Sequence, residues 1–265
     1  MNDNPFGIRG RLRFRSRVRH LASLLRSVNP ELVEREKLHF EMEFWIRQWD
    51  ARLRSGSFWN DDIEDLLRPL GQWSEVAEIG AYDYHTIREL EARSHGIRIL
   101  KEADIEDFRF FSNKIVVDIG PGAVCFLERS DARLGIAVEP LAREFKAHNL
   151  LLTSSNTIYL PIPAEKLALA DASVDVVVSR NNLDHVTDPA RVVKEIFRIL
   201  KPEGIFILIV HLEPETSPTE PHAFSVDDIH ALTRPFAAIS ERITCGGRTS
   251  AAETLAGVYR KPDFG

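Results

Sequence analysis

From about Phe111 onward the sequence changes period, and that change limits the folds open to it more than any other feature. Short apolar runs (KIVVDIG at 114–120, GIAVEP at 135–140, TIYLPI at 157–162, VDVVVSR at 174–180 and GIFILIV at 204–210) alternate with stretches of helical spacing at Leu141 to Leu151 and Pro189 to Leu200. Continuous apolar runs of this length are strands buried on both faces. Strand, helix, strand order then builds a parallel sheet covered by helices. Two last runs, AAISERIT and TLAGVYRK, have no helix between them and predict an antiparallel pair at one sheet edge. The fold class is α/β.

Before this point the pattern is helical, from Ser16 to about His95, with no convincing strand. Pro30 opens the segment PELVEREKLHFEMEFWIRQWDARLRSG, in which Leu38, Met42, Trp45, Ile46, Trp49 and Leu53 recur at helical spacing before Gly56 ends it. Trp45 and Trp49 lie one turn apart; they line a pocket or, as aromatic stripes at this spacing more often do, pack in the core. A short helix and loop follow around Asp61, Asp62, Pro69 and Gly71, then a helix from Tyr84 to Ser94. The chain therefore divides into an N-terminal arm and helical segment at 1–110 and a sheet domain at 111–265.

With 265 residues, 44% hydrophobic and 28% charged, a sizeable core is available. A formal net charge of -6 gives no electrostatic reason to expect nucleic acid as a partner. Arg9, Arg11, Arg13, Arg15, Arg17 and Arg19 nevertheless form a basic arm, which reads as a solvated tail or as a weak contact with an anionic surface. Cys125 and Cys245 are far apart, and neither has the spacing of a disulfide framework or a metal site, so no metal and a reducing, cytoplasmic setting are expected. No apolar run is long enough to span a bilayer, and no apolar stretch with a cleavage site follows the arginines.

The chemistry gathers at the carboxyl ends of the predicted strands. In VVDIGPGAV the first strand runs out into Asp118, Gly120, Pro121 and Gly122. Glycines there let the backbone approach a ligand, although a purely structural two-glycine turn has the same sequence. Glu139, followed by Pro140, ends the next strand, where nucleotide-binding sheets place a carboxylate for ribose hydroxyls. A nicotinamide fingerprint would need a third glycine where Cys125 stands, which disfavours that reading.

Downstream, IPAEKLALADASVDVVVSRNNLDHVTDPARVVKEIFRILKPEGIFILIV completes a resemblance to the class I S-adenosylmethionine-dependent methyltransferases of type 11, covering approximately Lys114 to Lys261. FEMEFWIRQW, RNNLDH and PHAF resemble a bacterial subgroup with an aromatic-rich N-terminal helix and a short histidine motif after the fifth strand. The resemblance implies a Rossmann-like methyltransferase fold, a mostly parallel seven-stranded sheet, with S-adenosylmethionine as cofactor. It implies that Gly120, Pro121 and Gly122 pass close to the methionine part while Asp118 orders the loop. Glu139, with Pro140 after it, would hold the ribose diol; Ala164 and Glu165 would flank the adenine. Arg180, Asn181 and Asn182, leaving the fourth strand, would line the floor beneath methionine and acceptor. Val124 and Pro163 depart from the family pattern, at a third glycine and at an adenine-binding acid respectively. The interval from Gly122 to Gly135 is also short for the usual first helix, which predicts a stub.

Methyl transfer from a sulfonium needs in-line placement of the acceptor, and a base where the acceptor is a hydroxyl. His185, His211 and His222 fall near the predicted strand ends, each equally able to serve as a backbone-bonded structural histidine. Asp184 orients a base or caps a helix. His211 directly follows the apolar strand GIFILIV, so a rigid element would hold its imidazole, and it is the expected base. The reading is methylation of a small-molecule hydroxyl, a sugar or another metabolite. A degenerate methyltransferase fold without turnover and a nucleotide-cofactor oxidoreductase are the alternatives.

Overall fold

Residues 37–47, 84–107, 109–152, 156–212, 215–216, 220–245 and 253–263 are described by the computed structural model. The basic arm, Trp49, Leu53 and the stretch around Asp61 to Gly71 lie outside the described residues.

Seven strands form one sheet: β1 (Ile115–Ile119), β2 (Leu134–Val138), β3 (Thr157–Leu160), β4 (Val174–Arg180), β5 (Leu200–Leu212), β6 (Ala237–Thr244) and β7 (Glu253–Arg260). Their order is β3-β2-β1-β4-β5-β7-β6. The first five are parallel, and β7 runs antiparallel to both β5 and β6. The antiparallel pair at the edge follows from the short interval between those runs, too few residues for the crossover that a parallel pair needs.

Side chains alternate across the sheet, and the alternation sorts the two cores. Val117, Val177, Phe206 and Leu208 face α4 (Pro189–Ile199) and α5 (Val226–Thr233), burying against Val192, Val193, Ile196 and Ile229. Val116, Val176, Val178, Ile207 and Ile209 face the other way, against Ile99 and Leu100 of α2 (Tyr84–Glu102) and against Phe111 and Phe126. α4 starts where Asp188 caps it by accepting from the Arg191 N–H, with Pro189 in the first turn, where its missing N–H costs nothing. α5 starts at a capping box in which Ser225 and Asp228 each bond the other's backbone.

Two helix lengths differ from the sequence expectation. α2 continues past Ser94 to Glu102, because Ser94 Oγ donates back to the Glu91 carbonyl and Ile99 and Leu100 are buried beyond it. Gly96 lies inside this helix with Phe126 against it; a Cβ there would meet the ring at 3.3 Å. α3 (Ala142–Ala147) stops short of Leu151, since Asn149 takes a left-handed φ of 56° and the Leu150 N–H turns back to the Phe145 carbonyl. Between Gly122 and Gly135 there is only a 3-10 turn, Phe126–Arg129, and α2 packs over it. The N-terminal segment thus supplies the cover that a first crossover helix gives in a doubly wound sheet. Among the described residues, no helix is long and apolar enough to cross a membrane.

Candidate functional site

β1 ends at Ile119, and the chain turns at Gly120 and Gly122 with φ of 63° and 64°, a region that favours glycine. The Gly120 N–H donates to the Val138 carbonyl at 2.8 Å, so the turn stays tied to the end of β2. A Cβ on Gly120 would fall 1.9 Å from Asn182 Oδ1, and one on Gly122 would fall 2.5 Å from the Trp45 ring. The loop is therefore pressed between the residues leaving β4 and a third element, the helix at 37–47 (α1). Trp45 also meets Phe145 edge-on, with ring centroids 6.1 Å apart.

Glu139, just past β2, is buried and holds this loop from the other side. Its Oε2 accepts from the Gly122 N–H and its Oε1 from the Leu141 N–H, both at 2.9 Å. Burial pushes its carboxyl up to about 7 against the pull of these N–H groups, and the neighbouring Glu41 adds to the rise. Asp118 is also buried; burial raises it to about 7, and the Cys125 thiol, which donates to it at 3.5 Å, opposes the rise. That bond ties the end of β1 to the residue after Val124, and Pro121 is buried between them while Pro140 is half-buried.

At the end of β4, Asn181 has a φ of 48°, its N–H donates to the Ile209 carbonyl, and its side-chain amide meets His211 Nε2 at 2.7 Å. Asn181 Oδ1 is buried without a hydrogen-bond partner. Gly120, Asn182, Asn181 and His211 thus stand in contiguous order across the ends of β1, β4 and β5.

Other residues singled out by sequence are placed differently. Arg180 forms a two-bond pair with Glu102, Nε to Oε2 at 2.8 Å and Nη2 to Oε1 at 2.9 Å, and its charge still acts on the buried Asp118. Ala164 is buried in the core under α4, and Glu165 Oε1 accepts from the N–H groups of Thr187 and Asp188, bracing the start of that helix. His222 bonds the Val186 carbonyl through Nε2 at 2.9 Å and stacks on Phe224 at 5.9 Å. His185 lies between carboxylates, Nδ1 at 3.7 Å from Glu41 and Nε2 at 3.8 Å from Asp184. Burial disfavours its charge, but the bond to Glu41 and the charges of Asp184, Glu41 and Glu220 outweigh this and raise it to about 9. It is protonated at neutral pH, which does not suit a base.

Sequence reasoning did not single out Lys37, Glu41 or Glu220. Lys37 Nζ donates to the His185 carbonyl, so α1 contributes Lys37, Glu41 and Trp45 to one side of the site. Their spacing of four residues is the only signal the sequence carries for this shared helix face.

Strand order, glycine loop and the carboxylate after β2 together define a Rossmann-like methyltransferase fold. Residues 117–208 match the methyltransferase domain family. An uncharacterized methyltransferase from Mycobacterium sp. (strain JLS) is 35% identical over 98 residues, 36% of this chain and 38% of that protein. The chain thus matches under two-fifths of the length of that relative. Two solved structures share the fold. A putative methyltransferase from Bacillus halodurans superposes with a TM-score of 0.51 at 15% identity, over 64% of this chain and 100% of that one. A putative S-adenosylmethionine-dependent methyltransferase from Listeria monocytogenes does so with 0.52 at 16% identity, over 63% and 98%.

Proposed function

We propose that this chain transfers a methyl group from S-adenosylmethionine to a hydroxyl of a small-molecule acceptor, a sugar or another hydroxylated metabolite. The observation that carries the proposal is the unbroken contact from the glycine loop through Asn182 and Asn181 to His211. It sets the glycine loop and an imidazole at neighbouring strand ends, the place where open α/β sheets bind ligands.

The residues fit the cofactor in their chemistry. Glu139 has lone pairs beyond the two its backbone partners use, and these can accept from a ribose diol. When bound, S-adenosylmethionine supplies a methyl group on a positively charged sulfur, open to attack by an oxygen lone pair.

Placement accounts for most of the rate in such a transfer, and a base adds to it. As drawn, Asn181 donates to His211 Nε2, which puts the ring proton on Nδ1 and leaves no free lone pair. Turning the amide end for end pairs Oδ1 with Nε2–H, brings the amide N–H groups to the buried position, where they can donate to a bound carboxylate, and frees Nδ1 to accept the acceptor's proton. Asn181 then orients the ring and steadies the charge that forms on it.

Trp45, seated on Gly122, favours a second reading, a domain whose loop is covered and which binds without turnover. A screen of sugars and phenols for release of S-adenosylhomocysteine separates the two. Turnover on a hydroxylated acceptor supports methyl transfer, and binding with no turnover on any acceptor supports the second reading.

A further inference from the structure

We propose that Asp184, His185 and Glu220 form a binding site for a divalent metal cation beside the transfer site. One donor atom from each lies within 4.8 Å of the other two. The donors come from two separate segments, the turn after β4 and the loop after β5, which the His222 N–H joins by donating to the Asp184 carbonyl at 3.4 Å. No local spacing in the sequence announces such a set.

Two further observations point to a cation. Asp184 is only 7% exposed, and its Oδ1 is buried and accepts no hydrogen bond. A desolvated carboxylate oxygen in that state favours a positive partner. His185 has the second feature: its Nε2 faces Asp184 while its Nδ1 faces the Glu41 carboxylate. Metal-bound imidazoles are held in this way, one nitrogen on the ion and the other donating to a carboxylate that fixes the tautomer. Glu41, reaching in from α1, takes that supporting place.

The donor set selects the ion class. Two carboxylates and one imidazole suit a first-row divalent ion such as Mn²⁺, and three protein ligands leave positions open for water or for oxygens of another molecule. The cation's use rests on the methyltransferase reading: an acceptor with two adjacent oxygens, a vicinal diol or a hydroxy acid, would bridge the ion and present an acidified hydroxyl. Cation binding itself does not depend on that reading.

The test is a titration of the full chain with Mn²⁺ at pH 8, followed by electron paramagnetic resonance of the free ion. One Mn²⁺ per chain is expected. Binding should weaken at least tenfold in His185→Gln and Asp184→Asn, and by about tenfold in Glu41→Gln, the scale for a supporting partner. Because Asp184 is buried, Glu220→Gln, on a half-buried loop, is the variant that keeps the fold, and it should also lose at least tenfold. Wild-type protein that holds no Mn²⁺, or a folded Glu220→Gln variant that binds it as tightly as wild type, overturns the proposal. S-adenosylhomocysteine is titrated separately. Mn²⁺ binding that fails with the variants as expected, without S-adenosylhomocysteine binding, supports the cation site and removes only the methyltransferase reading.

Discussion

Replacing Glu139 with alanine tests stability and binding at the same residue. The substitution leaves the buried N–H groups of Gly122 and Leu141 without acceptors, each now bonded at 2.9 Å. Leaving a buried donor unsatisfied costs about 1–3 kcal/mol, so the pair sums to roughly 2–6 kcal/mol. Removal of a carboxylate that burial has already pushed up to about 7 offsets part of this. A net loss of about 2–4 kcal/mol is expected, which at roughly 2–4 °C per kcal/mol lowers Tm by about 5–15 °C. Loss of the acceptor for the ribose should further weaken S-adenosylhomocysteine by about 1.5–3 kcal/mol, or roughly ten- to a hundredfold. Thermal unfolding and calorimetric titration of the variant measure the two effects. A Tm within about 2 °C of wild type would show that the two N–H groups find other partners, and an affinity loss below about 0.3 kcal/mol would take the carboxylate off the ribose.

Gly122→Val should nearly abolish cofactor binding, because its Cβ would enter the Trp45 ring at a φ of 64°; unchanged affinity in the folded variant would refute the loop assignment. Cofactor affinity should rise with pH between 6 and 8, by up to about tenfold per unit below pH 7. The sign follows from Glu139: its carboxyl sits near 7 without ligand, ribose hydroxyls donate more strongly to the ionised form, and binding therefore releases a proton. A flat profile, or no dependence of the heat on buffer ionisation, would contradict this. His211→Gln should lower turnover by about 10²–10⁴-fold while leaving S-adenosylhomocysteine affinity nearly unchanged, and near-wild-type turnover would make His211 structural.

Strands buried on both faces announce themselves as continuous apolar runs, so β1 to β5 and the edge pair were legible, as was the tight turn at Gly120 and Gly122. What was not legible depends on a residue's neighbours in space. The extension of α2 past Ser94 is one case: at Gly96 the missing Cβ lets the helix lie against Phe126. Arg180 follows Val176 and Val178 on the face covered by α2, and Glu102 is there to meet it. That alternation was available in VDVVVSR. The capping box at Ser225 and Asp228 was available too and marks the unexpected α5. Glu41 and Glu220 had no such signal, because their contacts with His185 join segments far apart in the chain.

The most direct test of the central claim is calorimetric titration of the full chain with S-adenosylhomocysteine, with NAD titrated in parallel. The account predicts saturable binding of one S-adenosylhomocysteine per chain, competed by S-adenosylmethionine, and no binding of NAD. Binding of NAD with none of S-adenosylhomocysteine would contradict it.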